Sequence, residues 1–171
     1  MKISGKTTVC GIIGDPVEHS LSPVMHNAAF EELNLDLVYV AFRVRREELR
    51  DAIIGARSLN ILGLNVTMPH KNAVMRYLDE TDSVAMSIGA VNTILNDKGK
   101  LIGYDTDGIG ALNALKENGI TPNGKKLILL GAGGAGKAIA FHAAQEVEEL
   151  VILNRTPQKA KKLAEVLRKE F

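Results

Sequence analysis

Apolar residues along this chain change period several times, and each change marks an element. Residues 7–14, TTVCGIIG, form a continuous apolar run closed by Gly-Asp-Pro, which predicts a buried strand. Residues 22–33 switch to helical spacing, with Met25, Ala28, Ala29 and Leu33 on one face, Pro23 at the first helical position and Ser22 expected at the N-cap. LVYVAFRV (37–44) is a β-branched and aromatic strand, and REELRDAIIGARSL (46–59) a helix with acidic residues in its first turn. A third strand, ILGLNVT (61–67), is stopped by Pro69. AVNTILN, DKGK and LIGYDT read as strand, Gly-containing turn and strand, a hairpin that places Asn92 and Thr93 inside its first strand. DGIGALNALKENG is a helix ending at Gly119, and the turn-rich GITPNGKK puts the main linker inside 104–124. Strand 126–130, helix 135–146, strand 149–153 and a last helix from Pro157 follow, the last with Ala160, Leu163, Ala164 and Leu167 on one face.

Strands alternating with helices predict an α/β fold with a parallel sheet covered on both sides. Residues 1–104 are expected to form a domain with a mainly parallel sheet under helices. Residues 105–171 are expected to form a linker helix and the first part of a Rossmann-type dinucleotide-binding domain. A doubly wound domain uses two βαβαβ halves, and only βαβα is found after the linker.

Composition narrows the function. The hydrophobic share of 46% is globular, and 21 Lys and Arg against 20 Asp and Glu leave no electrostatic footprint for nucleic acid or an anionic membrane. Cys10 stands alone, so no internal disulfide forms, which fits a reducing, cytoplasmic setting. The first residues, MKISGKTTVCGIIGDP, read as neither signal peptide nor membrane span. A small-molecule substrate is the expected partner, and a homodimer is an admissible assembly.

The stretch LLGAGGAGKAIAFH (129–142) fits two nucleotide templates. A phosphate loop needs Ser or Thr after its Lys to ligate magnesium, and Ala138 follows Lys137 instead. The G-x-G-x-x-G reading has its full context of strand before and helix after. Gly131 permits the tight turn, Gly133 lets backbone approach a pyrophosphate, and Gly136 lets helix pack on strand. Gly131, Ala132, Gly133, Gly134, Ala135 and Gly136 are therefore expected at the cofactor, with the pyrophosphate on the helix N-terminus. NAD sites usually carry an acid at the end of the second strand, where this chain has Asn154, Arg155 and Thr156, then Lys159. Arg and Lys attract a 2′-phosphate that an acid repels, so the cofactor expected is NADP.

Polar residues in the first half gather where strands end. Ser20 and Ser22 share a loop and together offer two hydroxyls to a carboxylate. NVTMPHK supplies Asn65, Thr67 and Lys71, GAVNT supplies Asn92 and Thr93, and YDTDG supplies Asp105, Thr106 and Asp107 beside the linker. Lys71 and Asp107 are candidates to converge in a cleft. The histidines at 19, 26, 70 and 142 have no metal-site spacing and no Cys partners, so no metal is expected.

Taken in order, GDPVEHSLSPVMHN, GLNVTMPHK, IGAVNT, GYDTDGIG, GAGGAGKA and NRT make the chain resemble the shikimate dehydrogenases, NADP-dependent enzymes of aromatic amino-acid biosynthesis. The resemblance runs from the first strand almost to the last helix. It implies reduction of 3-dehydroshikimate to shikimate. On the matching positions, Ser20 and Ser22 would bind the substrate carboxylate. Asn65, Thr67, Asn92 and Asp107 would bind its ring hydroxyls and carbonyl end, and Lys71 with Asp107 would be the catalytic pair. A quinate/shikimate dehydrogenase shares these motifs, and a non-catalytic ligand-binding fragment of such an enzyme is the reading from another class. Asp105 departs from the family, which more often has Asn there. Family chains also run on beyond a point like Phe171, so this chain is expected to be part of a longer protein.

Overall fold

The computed structural model describes residues 2–171, which divide into two compact units, one up to Tyr104 and the other Asp105–Phe171. In the first unit β1 (Thr8–Gly14) leads into α1 (Ser22–Glu32) and β2 (Leu37–Arg43). A 3-10 turn at Arg46–Glu48 opens α2 (Leu49–Ser58), which returns to β3 (Gly63–Val66). A second 3-10 segment (Ala73–Tyr77) precedes β4 (Glu80–Thr81) and α3 (Ser83–Ile88), and the unit closes with β5 (Thr93–Asp97) and β6 (Lys100–Tyr104).

The six strands form one mixed sheet in the order β2-β1-β3-β5-β6-β4. β1 pairs in parallel with both β2 and β3, whereas β5 runs antiparallel to β3 and β6. β1 is buried on both faces because its neighbours in sequence face opposite ways. Ile13 packs with Leu49, Ile53 and Ala56 of α2, together with Leu64, Val66, Val74 and Leu101. Ile12 packs with Val17 and Tyr39, against Phe30 of α1. Each such aliphatic side chain taken from water contributes about 1.5–3 kcal/mol. The expected cover of helices on both faces is therefore present.

Three local readings change. Ser22 is the first residue of α1 and not its N-cap, and Leu21 stands at the cap with no side-chain hydrogen bond. The reason is Ser20, whose Oγ accepts the Ser22 N–H at 3.2 Å and ties the turn one step earlier. Asn92 lies in a bend before β5, not inside the strand, because its N–H donates to Tyr104 O and its carbonyl accepts from Val66 N–H. The β5–β6 turn is a tight two-residue one, with Lys98 (φ 51°) and Gly99 (φ 93°) both left-handed, and Asn96 Oδ1 accepts the Gly99 N–H at 2.8 Å.

The second unit begins with α4 (Asp107–Glu117), followed by β7 (Lys126–Leu130), α5 (Gly134–Ala143), β8 (Glu149–Leu153) and α6 (Pro157–Glu170). β7 and β8 form a two-stranded parallel sheet, Lys126 opposite Glu149 through Leu130 opposite Leu153. Leu163 and Leu167 of α6 are buried, as their spacing predicts, and α4 packs against α5. No helix among the described residues is long and apolar enough to cross a membrane.

Candidate functional site

The parallel strands of the first unit set their C-terminal ends side by side, the place where α/β sheets take ligands. β1 ends at Gly14 beside β3, and Thr67 just beyond β3 donates its N–H to Ile13 O at 3.0 Å. The loop after β1 is held by Arg43 at the end of β2, which pairs with Asp15 at 2.8 Å. Ser20 N–H donates to Val17 O at 3.0 Å, and the loop thereby delivers Ser20 and Ser22 to this end of the sheet.

A polar chain crosses the site. Tyr39 donates to Asn65 Oδ1 at 2.6 Å. Asn65 Nδ2 reaches Thr93 Oγ1 at 3.3 Å and Asn92 O at 3.4 Å, and Thr93 donates to Asn92 Oδ1 at 2.8 Å. Two expected site residues, Asn65 and Asn92, thus share one network with Tyr39 and Thr93. Lys71 is tied beside it through its backbone, whose carbonyl accepts the Val91 N–H at 2.8 Å. His70, 1% exposed, fixes that turn, with Nε2 2.7 Å from Val44 O. A carbonyl only accepts, so Nε2 carries the proton. Lys71 belongs to the first unit and Asp107 to the second, where Asp107 is the first residue of α4 and its N–H donates to Asp105 Oδ1 at 3.0 Å.

Sequence reasoning passed over Tyr39, His26 and Asn27. Asn27 on α1 clamps the Tyr39 backbone, donating from Nδ2 to its carbonyl (2.9 Å) and accepting its N–H on Oδ1 (2.8 Å). The His26 ring stacks on the Tyr39 ring at 4.3 Å. The available signal was a His-Asn pair next to Ala28 and Ala29 on a helix whose apolar face is narrow. Burial pushes the Tyr39 phenol up to about 12, against about 10 for a free tyrosine. The folded protein holds this proton after the unfolded chain has released it. The stabilisation is full below about pH 10 and is lost as the pH rises through about 12. Tyr39→Phe is therefore expected to flatten the decline of stability between about pH 10 and 12, measured as denaturant midpoints across that window. A decline of unchanged steepness would assign it to other groups.

In the second unit the glycine loop has the shape its sequence requires. Gly131 holds φ 115°, which side chains rarely adopt, and its N–H donates to Leu153 O at 2.7 Å. Around Gly133 there is open space, so a ligand has access to backbone. At Gly136 an added Cβ would overlap the Gly131 carbonyl, so the helix packs on the loop only with glycine there. Gly136→Ala is expected to push α5 off the loop and cost about 1–3 kcal/mol, lowering the thermal midpoint by several degrees. A midpoint unchanged from that of the parent would show that the loop yields. Gly134 and Ala135 open α5, with N–H groups at its N-terminus.

Asn154 links the two halves of this unit. Its Oδ1 accepts the Ala132 N–H at 3.0 Å and its Nδ2 donates to Thr156 O at 2.9 Å. Ala132, 4% exposed, therefore shapes the loop with its N–H turned to Asn154. A cavity of about 590 Å³ opens here, lined by Leu130, Gly131, Leu153, Asn154, Arg155, Thr156 and Lys159. The basic residues predicted for a 2′-phosphate thus share a cavity with the first glycine of the loop.

Comparison with known proteins follows the same division. Residues 12–94 match a family model described as the shikimate dehydrogenase substrate binding domain, and residues 114–171 one described as shikimate / quinate 5-dehydrogenase. A shikimate dehydrogenase (NADP(+)) of Caldanaerobacter subterraneus is 54% identical over 172 residues, covering 100% of this chain and 61% of that protein. A crystal structure of a shikimate dehydrogenase in complex with NADP+ superposes with a TM-score of 0.95 at 52% identity, covering 99% of this chain and 58% of the other. Shikimate 5-dehydrogenase from Listeria monocytogenes, in complex with shikimate and NAD, gives 0.94 at 45% identity, covering 99% and 60%. The chain spans about three fifths of the length of the curated relatives it matches.

Proposed function

The chain belongs to the shikimate dehydrogenase family, and we propose on that premise that the protein carrying it interconverts 3-dehydroshikimate and shikimate with NADP as cofactor. The observation that carries this reading is the polar chain from Tyr39 through Asn65 to Asn92 at the C-terminal end of the sheet. Hydroxyls and amides of this kind suit a small polyhydroxylated acid. Ser20 and Ser22 take the carboxylate, while Asn65, Thr67 and Asn92 take the ring hydroxyls.

The residues of the second unit fit a dinucleotide phosphate. The open space at Gly133 and the N-terminus of α5 receive the pyrophosphate. Arg155, with Thr156 and Lys159 in the same cavity, receives the 2′-phosphate. The nicotinamide, when bound, supplies the hydride. Lys71 gives a proton to the substrate oxygen as the carbonyl becomes a hydroxyl, and takes it back in the reverse direction. Asp107, the first residue of α4, supplies the carboxylate of the proposed catalytic pair. We place the protein in the cytoplasm, a setting supported by the single, partly buried Cys10, whose thiol burial pushes up and makes less reactive.

The test is turnover by the protein expressed from its whole reading frame, with shikimate or quinate as substrate and NADP or NAD as cofactor. Shikimate with NADP is expected to give the highest kcat/KM of the four pairs. A preference for quinate would move the enzyme to the sister specificity, and no turnover with any pair would leave a ligand-binding protein.

A further inference from the structure

Lys71 owes its place to two anchors, one on each side of it in the chain. Its own carbonyl accepts the Val91 N–H at 2.8 Å, one residue before Asn92. The preceding residue, His70, is 1% exposed, and its ring Nε2 is 2.7 Å from Val44 O. Val44 is one residue beyond β2, is itself buried, and donates its N–H to Gly14 O at 3.0 Å. Through Val44 the imidazole therefore reaches the last residue of β1, from which the loop with Ser20 and Ser22 departs. Turn and loop lie close there. Asp15 N–H donates to Met68 O at 2.9 Å, and a Cβ at Gly14 would overlap the Thr67 methyl.

We propose that His70 is a positioning residue for the proton transfer, its buried ring N–H held on the Val44 carbonyl so that the turn from which Lys71 departs has one fixed place. The proposal rests on reading Lys71 as the proton donor.

The backbone of His70 is already committed within the turn. Its N–H donates to Thr67 O at 3.0 Å, and its carbonyl accepts the Val74 N–H at 2.9 Å. The ring is what ties the turn to Val44. Burial makes that tie hard to give up, because a polar group without a partner is costly away from water. A lysine carries its ammonium on a flexible four-carbon stem, so a shift at the root becomes a larger spread at the charge. Thr67 is held apart from this tie, by its own N–H on Ile13 O at 3.0 Å. Loss of the tie therefore disturbs proton transfer more than substrate binding.

The experiment uses the protein expressed from its whole reading frame. Wild-type turnover of shikimate and its loss in Lys71→Ala are measured first, and absence of either overturns the proton-donor reading and this proposal together. With both in hand, His70→Phe, which keeps a ring and removes the N–H, is expected to lower kcat about ten- to a hundredfold, with KM for shikimate within about threefold. The solvent deuterium isotope effect on kcat is expected to rise in the same variant, because the proton-moving step slows. His70→Gln, whose amide N–H reaches about as far as Nε2, is expected to restore kcat to within about threefold of wild type. In a Lys71→Ala background His70→Phe is expected to change kcat by less than about twofold, because the two residues act as one. An unchanged kcat, an unchanged isotope effect, no rescue by Gln, or a full penalty persisting in Lys71→Ala overturns the positioning role while leaving the proton-donor reading intact. A second measurement needs no folded Phe variant. In wild-type protein with 15N-labelled histidine, the His70 ring, assigned by its loss in His70→Gln, is expected to carry its proton on Nε2 at neutral pH, slow to exchange with solvent. An Nδ1–H tautomer or fast exchange overturns the proposal.

Discussion

Lys71→Ala is expected to lower turnover by about 10²–10⁴-fold, the usual contribution of a positioned general acid-base group, with a much smaller change in KM for shikimate. The expectation rests on where the structure puts this lysine. Its backbone carbonyl is bonded to Val91, one residue from Asn92, and its neighbour His70 is buried and anchored to Val44. Asp107→Asn is expected to lower turnover in the same sense, since the amide lacks the negative charge of the proposed catalytic pair. Steady-state kinetics in both directions decide the matter. A rise in KM with kcat intact would make Lys71 a binding residue.

Arg155→Ala is expected to weaken NADP at least tenfold while leaving NAD within about twofold. A charge-assisted hydrogen bond contributes about 1.5–3 kcal/mol, and only NADP carries the group that accepts it. Arg155 lines the cavity beside Gly131 with Thr156 and Lys159, and no acid is among the residues lining it. Dissociation constants for the two cofactors, measured by calorimetry, give the ratio. Equal losses for both would remove Arg155 from the 2′-phosphate.

The elements that could be read from sequence are those announced by local chemistry. β7 and β8 occupy 126–130 and 149–153 as expected, and α6 starts at Pro157, because glycine, proline and apolar runs mark their edges. α3 and the Ala73–Tyr77 turn went unread because both are too short for a period to show. α3 instead depends on Asp82, whose carboxylate accepts the Ala85 N–H, and on Gly89 in the left-handed region. Ser22 misled because a Ser before Pro is a common cap, and only Ser20, two residues away, decides otherwise. The site shows the same division. Asn65, Thr67, Asn92 and Lys71 stand out as polar residues in or beside apolar strands. Tyr39 does not, because an aromatic residue in a strand is unremarkable until β2, α1 and β3 are brought together around it.

The hairpin of β5 and β6 offers a way to watch this protein from outside. Its turn at Lys98 and Gly99 is at the end of the sheet opposite Thr93 and Tyr104, which border the site. Asp97 and Lys98 there are exposed, and Asn96 secures the turn from within. Cys10, partly buried and with its thiol pushed up by burial, is a poor competitor for thiol reagents. Asp97→Cys would therefore take a fluorophore or spin label at a chosen place, far from substrate chemistry, and turn the hairpin tip into a reporter or tether for single-molecule work.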